Sequence, residues 1–238
     1  MTAKLNEIKA IFFDLDETLI NAPAGLKAAH KAVTRKLIDY FPSELSNRSS
    51  ESLCERLKEL DDRMNIRTHY NRDEWWSKFL EELGIDRNLG YSQIRGLTQT
   101  YWNTYIQAAK PYDETKPVLE YLKGKGLALG VITDTDEYRI PKKRRISELE
   151  FSDLLDVIVV GGEDTEKTKP DPEPFELAAQ QLNMEPSECA MVGDKPFTDV
   201  RGARSVGMKT ILLKRRDWGE KSEPDLILYS LGELLKIF

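Results

Sequence analysis

The sequence predicts an α/β protein: a doubly wound, Rossmann-like parallel sheet core with an all-helical domain inserted after the first strand. From Pro111 onward, short apolar runs alternate with helical segments, the order that builds a parallel sheet covered by helices on both faces. Residues 20 to 110, in contrast, hold hardly any strand-like run and several helical periodicities. The apolar runs also end in Asp14, Thr133 and Asp194, which points to chemistry at one end of the sheet.

Taken in order, Ile8 to Phe13 are almost continuously apolar, as expected of a strand buried on both faces. Asp14 follows at the carboxyl end, which in an open parallel sheet faces the ligand crevice. A carboxylate there is costly unless something pairs with it, and a cation is the natural partner. Asp16 lies two residues on, so both carboxylates can face one side while Leu15 points to the core; Thr18 follows at the turn. The bland alternative is a polar loop in which Thr18 caps a helix.

In the insert, Leu26 to Tyr40 and Ser52 to Met64 read as helices. In NRDEWWSKFLEELG, Trp75, Trp76, Phe79, Leu80 and Leu83 form one apolar stripe, opened by Asn71 with Glu74 and stopped by Gly84. Ile94, Leu97, Tyr101, Trp102 and Tyr105 mark another helix, and these aromatic stripes read as bundle core rather than a ligand surface. The core domain is thus expected over 1–19 and 111–238, with the helical domain over 20–110.

Within the core, Thr115 to Gly124, Pro174 to Leu182 and Phe197 to Ser205 are helical, and strands fall at 127–133, 156–162, 188–194 and 209–213, with DLILY a short sixth. The basic run PKKRR, residues 141–145, reads as the solvated face of a helix, because Ile140, Ile146 and Leu149 keep an apolar stripe beside it.

The net charge of −6 and pI near 5.2 over 238 residues argue against a nucleic-acid or membrane-surface partner and favour a small one. The start has no apolar signal-peptide core, and no run reaches the roughly 18 apolar residues of a membrane span, so a cytoplasmic protein is expected. Cys54 and Cys189 lack metal-ligand spacing and read as reduced thiols; His30 and His69 are isolated, which disfavours a histidine triad or histidine metal site.

Asp14, Thr133 and Asp194, with Lys169 in the loop before the fourth strand, should converge on a site for a hard cation, Mg²⁺ by preference, and a phosphoryl group. Rival phosphate motifs fail: GGEDTEKT has Glu166 where a P-loop needs glycine, and the glycines of GKGLALG precede a strand rather than follow one. No nicotinamide- or ATP-binding loop is expected.

FFDLDET, VIT, KPDP and GDKPFTD, in that order, resemble the four motifs of the haloacid dehalogenase superfamily, in particular its phosphatase branches with a helical cap after the first strand. The resemblance covers nearly the whole chain. It implies a Mg²⁺-dependent phosphatase of a small phosphorylated metabolite, working through an aspartyl-phosphate. By resemblance, Asp14 is the nucleophile and Asp16 the acid and base; Thr133 and Lys169, with the neighbouring Asp134, form the phosphate site. Mg²⁺ ligands would be Asp14, Asp194 and the backbone carbonyl of Asp16, with Asp199 supporting them and Thr18 holding the loop. The inserted cap would choose the substrate while the core does the chemistry.

Many relatives have asparagine where this chain has Asp134, which either turns away or contacts a cationic or hydroxyl group of the substrate or a metal-bound water. Lys169 is preferred over Lys167 because Pro-Asp-Pro follows it directly. A phosphomutase would share these residues. A metal-free haloacid dehalogenase is disfavoured by Asp16 together with Asp194, and a catalytically idle binding module would leave the set unexplained.

Overall fold

A computed structural model describes residues 7–220 and 222–238. The chain divides into two compact units, Asn21–Lys110 and Met1–Ile20 with Pro111–Phe238.

The first of these is all helical among its described residues: α1 Ala22–Tyr40, α2 Pro42–Leu45, α3 Ser50–Ile66, α4 Arg72–Glu82 and α5 Tyr91–Ala108. Side-chain caps set the starts. Asn21 accepts from Ala24 N at 3.1 Å, Ser49 from Ser52 N at 3.0 Å and Asn71 from Asp73 N at 3.1 Å. No helix begins at Thr18, so the capping alternative for that residue gives way to Asn21. Trp75, Trp76, Phe79, Leu80, Leu97 and Tyr101 are buried, which makes the aromatic stripes core.

Inside this apolar bundle sits Asp61, 1% exposed. Its Oδ2 accepts from Tyr101 Oη at 2.7 Å and lies 3.0 Å from His30 Nε2, while Oδ1 accepts from Asn65 Nδ2 at 2.6 Å. Arg72 approaches Oδ1 at 3.7 Å and stacks its guanidinium 3.9 Å from the Trp75 ring centroid. His30, isolated in the sequence, therefore belongs to a polar core.

The second unit holds, among its described residues, six parallel strands: β1 Ala10–Phe13, β2 Ala128–Asp134, β3 Val157–Gly161, β4 Cys189–Gly193, β5 Lys209–Leu213 and β6 Leu226–Leu228, in the spatial order β3-β2-β1-β4-β5-β6. Helices α6 Thr115–Gly124, α7 Lys142–Ser147, α8 Glu173–Gln181 and α9 Arg201–Ser205 belong to this unit. Every residue of β1 and β4 is buried, which is why their sequences are continuously apolar rather than alternating. Phe12, Ile132, Val159 and Met191, one from each of four strands, pack with Phe175 of α8 and Ala203 of α9 in one core cluster. The strand order reverses direction around β1, which lies between β2 and β4, so the carboxyl ends of these three strands border the crevice of a doubly wound sheet.

One expected helix differs in form. Pro196–Val200 is a π-helical turn that leads into α9. Both Asp199 N and Val200 N donate to Lys195 O, at 3.0 and 3.4 Å, while the Asp199 carboxylate accepts from Lys195 N at 3.0 Å. The side chain of Asp199 thus shapes the wide turn, an arrangement frequent at functional sites. Among the described residues no helix is long and apolar enough to cross a membrane.

Candidate active site

Each expected residue falls where the sheet delivers it. Asp14 follows β1, Thr133 and Asp134 end β2, Lys169 lies in the loop between β3 and α8, and Asp194 follows β4. Asp14, Thr18, Thr133, Lys169, Asp194 and Asp199 are all buried.

Lys169 is the hub. Its Nζ donates to Asp14 Oδ1 at 2.7 Å, to Asp199 Oδ1 at 2.7 Å and to Ile132 O at 3.0 Å. Lys167, the other candidate, is exposed and uses its backbone N on Glu173. Burial opposes the charge on Lys169, but Asp14, Asp199 and Asp134 outweigh it and raise the pKa, so the ammonium is kept.

Asp134 turns one oxygen away from the strand-end cluster. Its Oδ1 accepts from Lys169 N at 2.9 Å, so the carboxylate expected among the phosphate-binding residues braces the loop that carries the lysine. Thr18 offers no hydrogen bond from its hydroxyl: Oγ1 is buried without a partner, and the loop keeps its shape through Leu19 N and Ile20 N on Leu15 O and through Thr115 Oγ1 on Leu19 O at 2.7 Å. Glu17, within this loop, adopts φ 64°, a left-handed conformation uncommon for such a residue.

Carboxylate oxygens of Asp14, Asp194 and Asp199 lie within 4.8 Å of one another. Asp199, expected only in support, is therefore a full member of the acid cluster. A Cβ on Gly193, at the end of β4, would come within 2.2 Å of Asp199 Oδ2, so only glycine admits that carboxylate. Two oxygens of the cluster, Asp14 Oδ2 and Asp194 Oδ1, are buried with no hydrogen-bond partner. Burial pushes Asp194 well above the usual carboxylate range; Lys195 opposes this, while Glu17, Asp14 and Asp199 add to it. Burial likewise raises Asp199 against the pull of Lys169. Clustered hard oxygens, two of them unspent and mutually repelling, fit a small divalent cation.

Asp16 is not part of that cluster. Its Oδ2 accepts from Lys142 Nζ at 2.5 Å, and Lys142 is 4% exposed. The expectation that PKKRR is a solvated face is thus corrected at Lys142 and at Arg145, whose side chain is also turned inward. Sequence does carry one signal for this: Lys142 lies four residues before buried Ile146 and so shares its helix face. Trp218, also unexpected, donates from Nε1 to Asp194 Oδ2 at 3.1 Å. Nothing in the sequence near Trp218 marked it.

Residues 8–207 match the family model for haloacid dehalogenase-like hydrolases, and the chain belongs to that family. Over 239 residues it is 28% identical to the glyceraldehyde 3-phosphate phosphatase of Pyrococcus furiosus, a match covering 98% of this chain and 94% of the relative. It is 28% identical over 241 residues to pyrophosphatase PpaX of Bacillus thuringiensis, covering 97% and 96%. The crystal structure of a HAD phosphatase from Thermococcus onnurineus superposes with a TM-score of 0.61 at 26% identity, covering 97% of each chain.

Proposed function

We propose that this hydrolase is a Mg²⁺-dependent phosphatase that cleaves a small phosphorylated metabolite through an aspartyl-phosphate on Asp14. One observation carries the reading: Lys169 grips Asp14 through Oδ1 and leaves the buried Oδ2 without a hydrogen bond. A carboxylate so held is fixed in place yet has an unspent oxygen. The relatives named for glyceraldehyde 3-phosphate and pyrophosphate point to small substrates.

In this mechanism Asp14 attacks phosphorus while Asp16 gives a proton to the departing alcohol. Asp16 then takes a proton from the water that hydrolyses the aspartyl-phosphate. Thr133 and the Lys169 ammonium hold phosphoryl oxygens as negative charge shifts between them. Asp14, Asp194 and the backbone carbonyl of Asp16 would hold Mg²⁺, with Asp199 beside them. Bound there, the cation supplies charge screening that lets a carboxylate meet a phosphate. The helical insert carries none of these groups, and substrate choice is assigned to it.

The test is phosphate release from p-nitrophenyl phosphate with Mg²⁺ and with excess EDTA. Turnover should require Mg²⁺. Undiminished turnover in EDTA would overturn the metal assignment. No phosphate release from this substrate or from a panel of phosphorylated metabolites would overturn the phosphatase reading itself.

A further inference from the structure

The run Pro141-Lys142-Lys143-Arg144-Arg145 splits in the folded chain. Lys143 and Arg144 keep side chains 46% and 73% exposed, whereas those of Lys142 and Arg145 are 5% and 9% exposed. The inward pair, three residues apart, shares Asp136: Lys142 Nζ is 3.4 Å from its Oδ1 and Arg145 Nη1 is 2.9 Å from its Oδ2. The remaining close partner of Lys142 is Asp16 Oδ2, at 2.5 Å. The start of α7 is itself fastened, since Glu163, two residues past β3, accepts Lys142 N at 2.7 Å and Lys143 N at 3.4 Å.

This is an expensive way to fill a buried position. Apolar side chains of similar volume often serve as well as a buried ion pair, or better, so stability does not explain an ammonium here. What the ammonium does reach is the second carboxylate of the Asp14-Leu15-Asp16 stretch. That carboxylate, its side chain 21% exposed, lies next to solvent on a short side chain. The two carboxylates are thus held by different lysines, Asp14 by Lys169 and Asp16 by Lys142.

We propose that Lys142 is a positioning residue for Asp16: through its contact with Oδ2, braced by Asp136, Arg145 and Glu163, it holds the acid-base carboxylate where proton transfer to the leaving group occurs. The inference rests on the phosphatase reading and on Asp16 as its acid. Misplacing a catalytic group by about 1 Å can cost about 10²-fold, which sets the scale of the effect.

The experiment measures kcat/KM, which reports the steps through departure of the leaving group, for a series of aryl phosphates from p-nitrophenyl to phenyl phosphate. Wild type, Lys142→Met, Lys142→Arg and Asp16→Asn are compared at saturating Mg²⁺. Lys142→Met should lose about 10- to 100-fold on phenyl phosphate and less than about threefold on p-nitrophenyl phosphate, whose departure needs little protonation. Lys142→Arg should recover most of the loss. If Lys142→Met does not fold, Lys142→Gln takes its place in the same series. A loss equal across leaving groups, or none, overturns the role of Lys142 while Asp16→Asn still shows the steep dependence. If Asp16→Asn is itself flat, the acid assignment falls, and the positioning role with it. If wild type releases no phosphate from any member, the phosphatase reading falls.

Discussion

Two of the ionic clusters buried among the described residues, one in each unit, are built to opposite rules. In the helical unit both oxygens of Asp61 are engaged, by Tyr101, His30, Asn65 and Arg72. In the sheet unit Asp14 Oδ2 and Asp194 Oδ1 lack any hydrogen bond. A closed network returns the cost of burying charge as order in the core, whereas one with open positions is unfavourable until something occupies them. The difference teaches where to look for function: not at buried charge as such, but at buried charge left incomplete.

The largest expected effect tests the open cluster. Asp14→Asn should lower turnover by about 10⁴-fold or more, because a covalent nucleophile has no substitute nearby. Steady-state phosphate release measures this, and substantial residual turnover would move the nucleophile elsewhere. Lys169→Ala should come next, impairing turnover severely and leaving Asp14 and Asp199 buried without their cation. Removal of one partner from a buried pair costs about 3–5 kcal/mol. Urea melts should show that loss in a Mg²⁺-free buffer and a smaller one in saturating Mg²⁺, since Asp14 and Asp199 without the ammonium bind the cation more tightly and a ligand held by the folded state stabilises it. A wild-type midpoint that does not rise with Mg²⁺ would mean that the open positions do not take the ion.

Asp61→Asn sharpens the contrast from the other side. It leaves Arg72 without its buried countercharge and should cost about 3–5 kcal/mol in the same melts, while the folded protein keeps its kcat and its Mg²⁺ requirement. Lost turnover at unchanged stability would break the comparison. The smallest effect is one of pH. Burial works against the Asp61 carboxylate, but Arg72 and His30 outweigh it and hold its pKa below the ordinary value. A depressed folded pKa gives stability that is present above the unfolded value, about 3.9, and is lost as pH falls through the lower folded one. The stability gap between wild type and Asp61→Asn should therefore narrow below about pH 4. A gap that stays constant to lower pH would mean that Asp61 is not the titrating group.

Much of the fold could be read because its signals are local. Strands β1 and β4 announce themselves as unbroken apolar runs, and Asn71 and Gly84 bracket a stripe that no other structure would bury. The site was legible as far as strand ends go, since the sheet carries Asp14, Thr133 and Asp194 to one edge by topology alone. What escaped were side chains whose roles depend on distant partners. Lys142 meets Asp16 across 126 positions, and Trp218 meets Asp194 from a loop with no periodicity. Asp134 could be narrowed to two readings but not decided, because its partner is a backbone amide 35 residues away. The part of Thr18 could not be read for a related reason, its turn being held by backbone bonds and by Thr115 Oγ1 rather than by the Thr18 hydroxyl.

The bare end of β4 has a consequence for descent. Because Asp199 occupies the space where a side chain at Gly193 would start, any exchange at Gly193 first requires that Asp199 be gone, and without Asp199 the ammonium of Lys169 has lost one of its anionic partners. The two positions are therefore coupled: a side chain at Gly193 meets Asp199, and a change at Asp199 takes a partner from Lys169. A lineage is free to rewrite its surface one residue at a time, but at this corner a single exchange disturbs two partners at once.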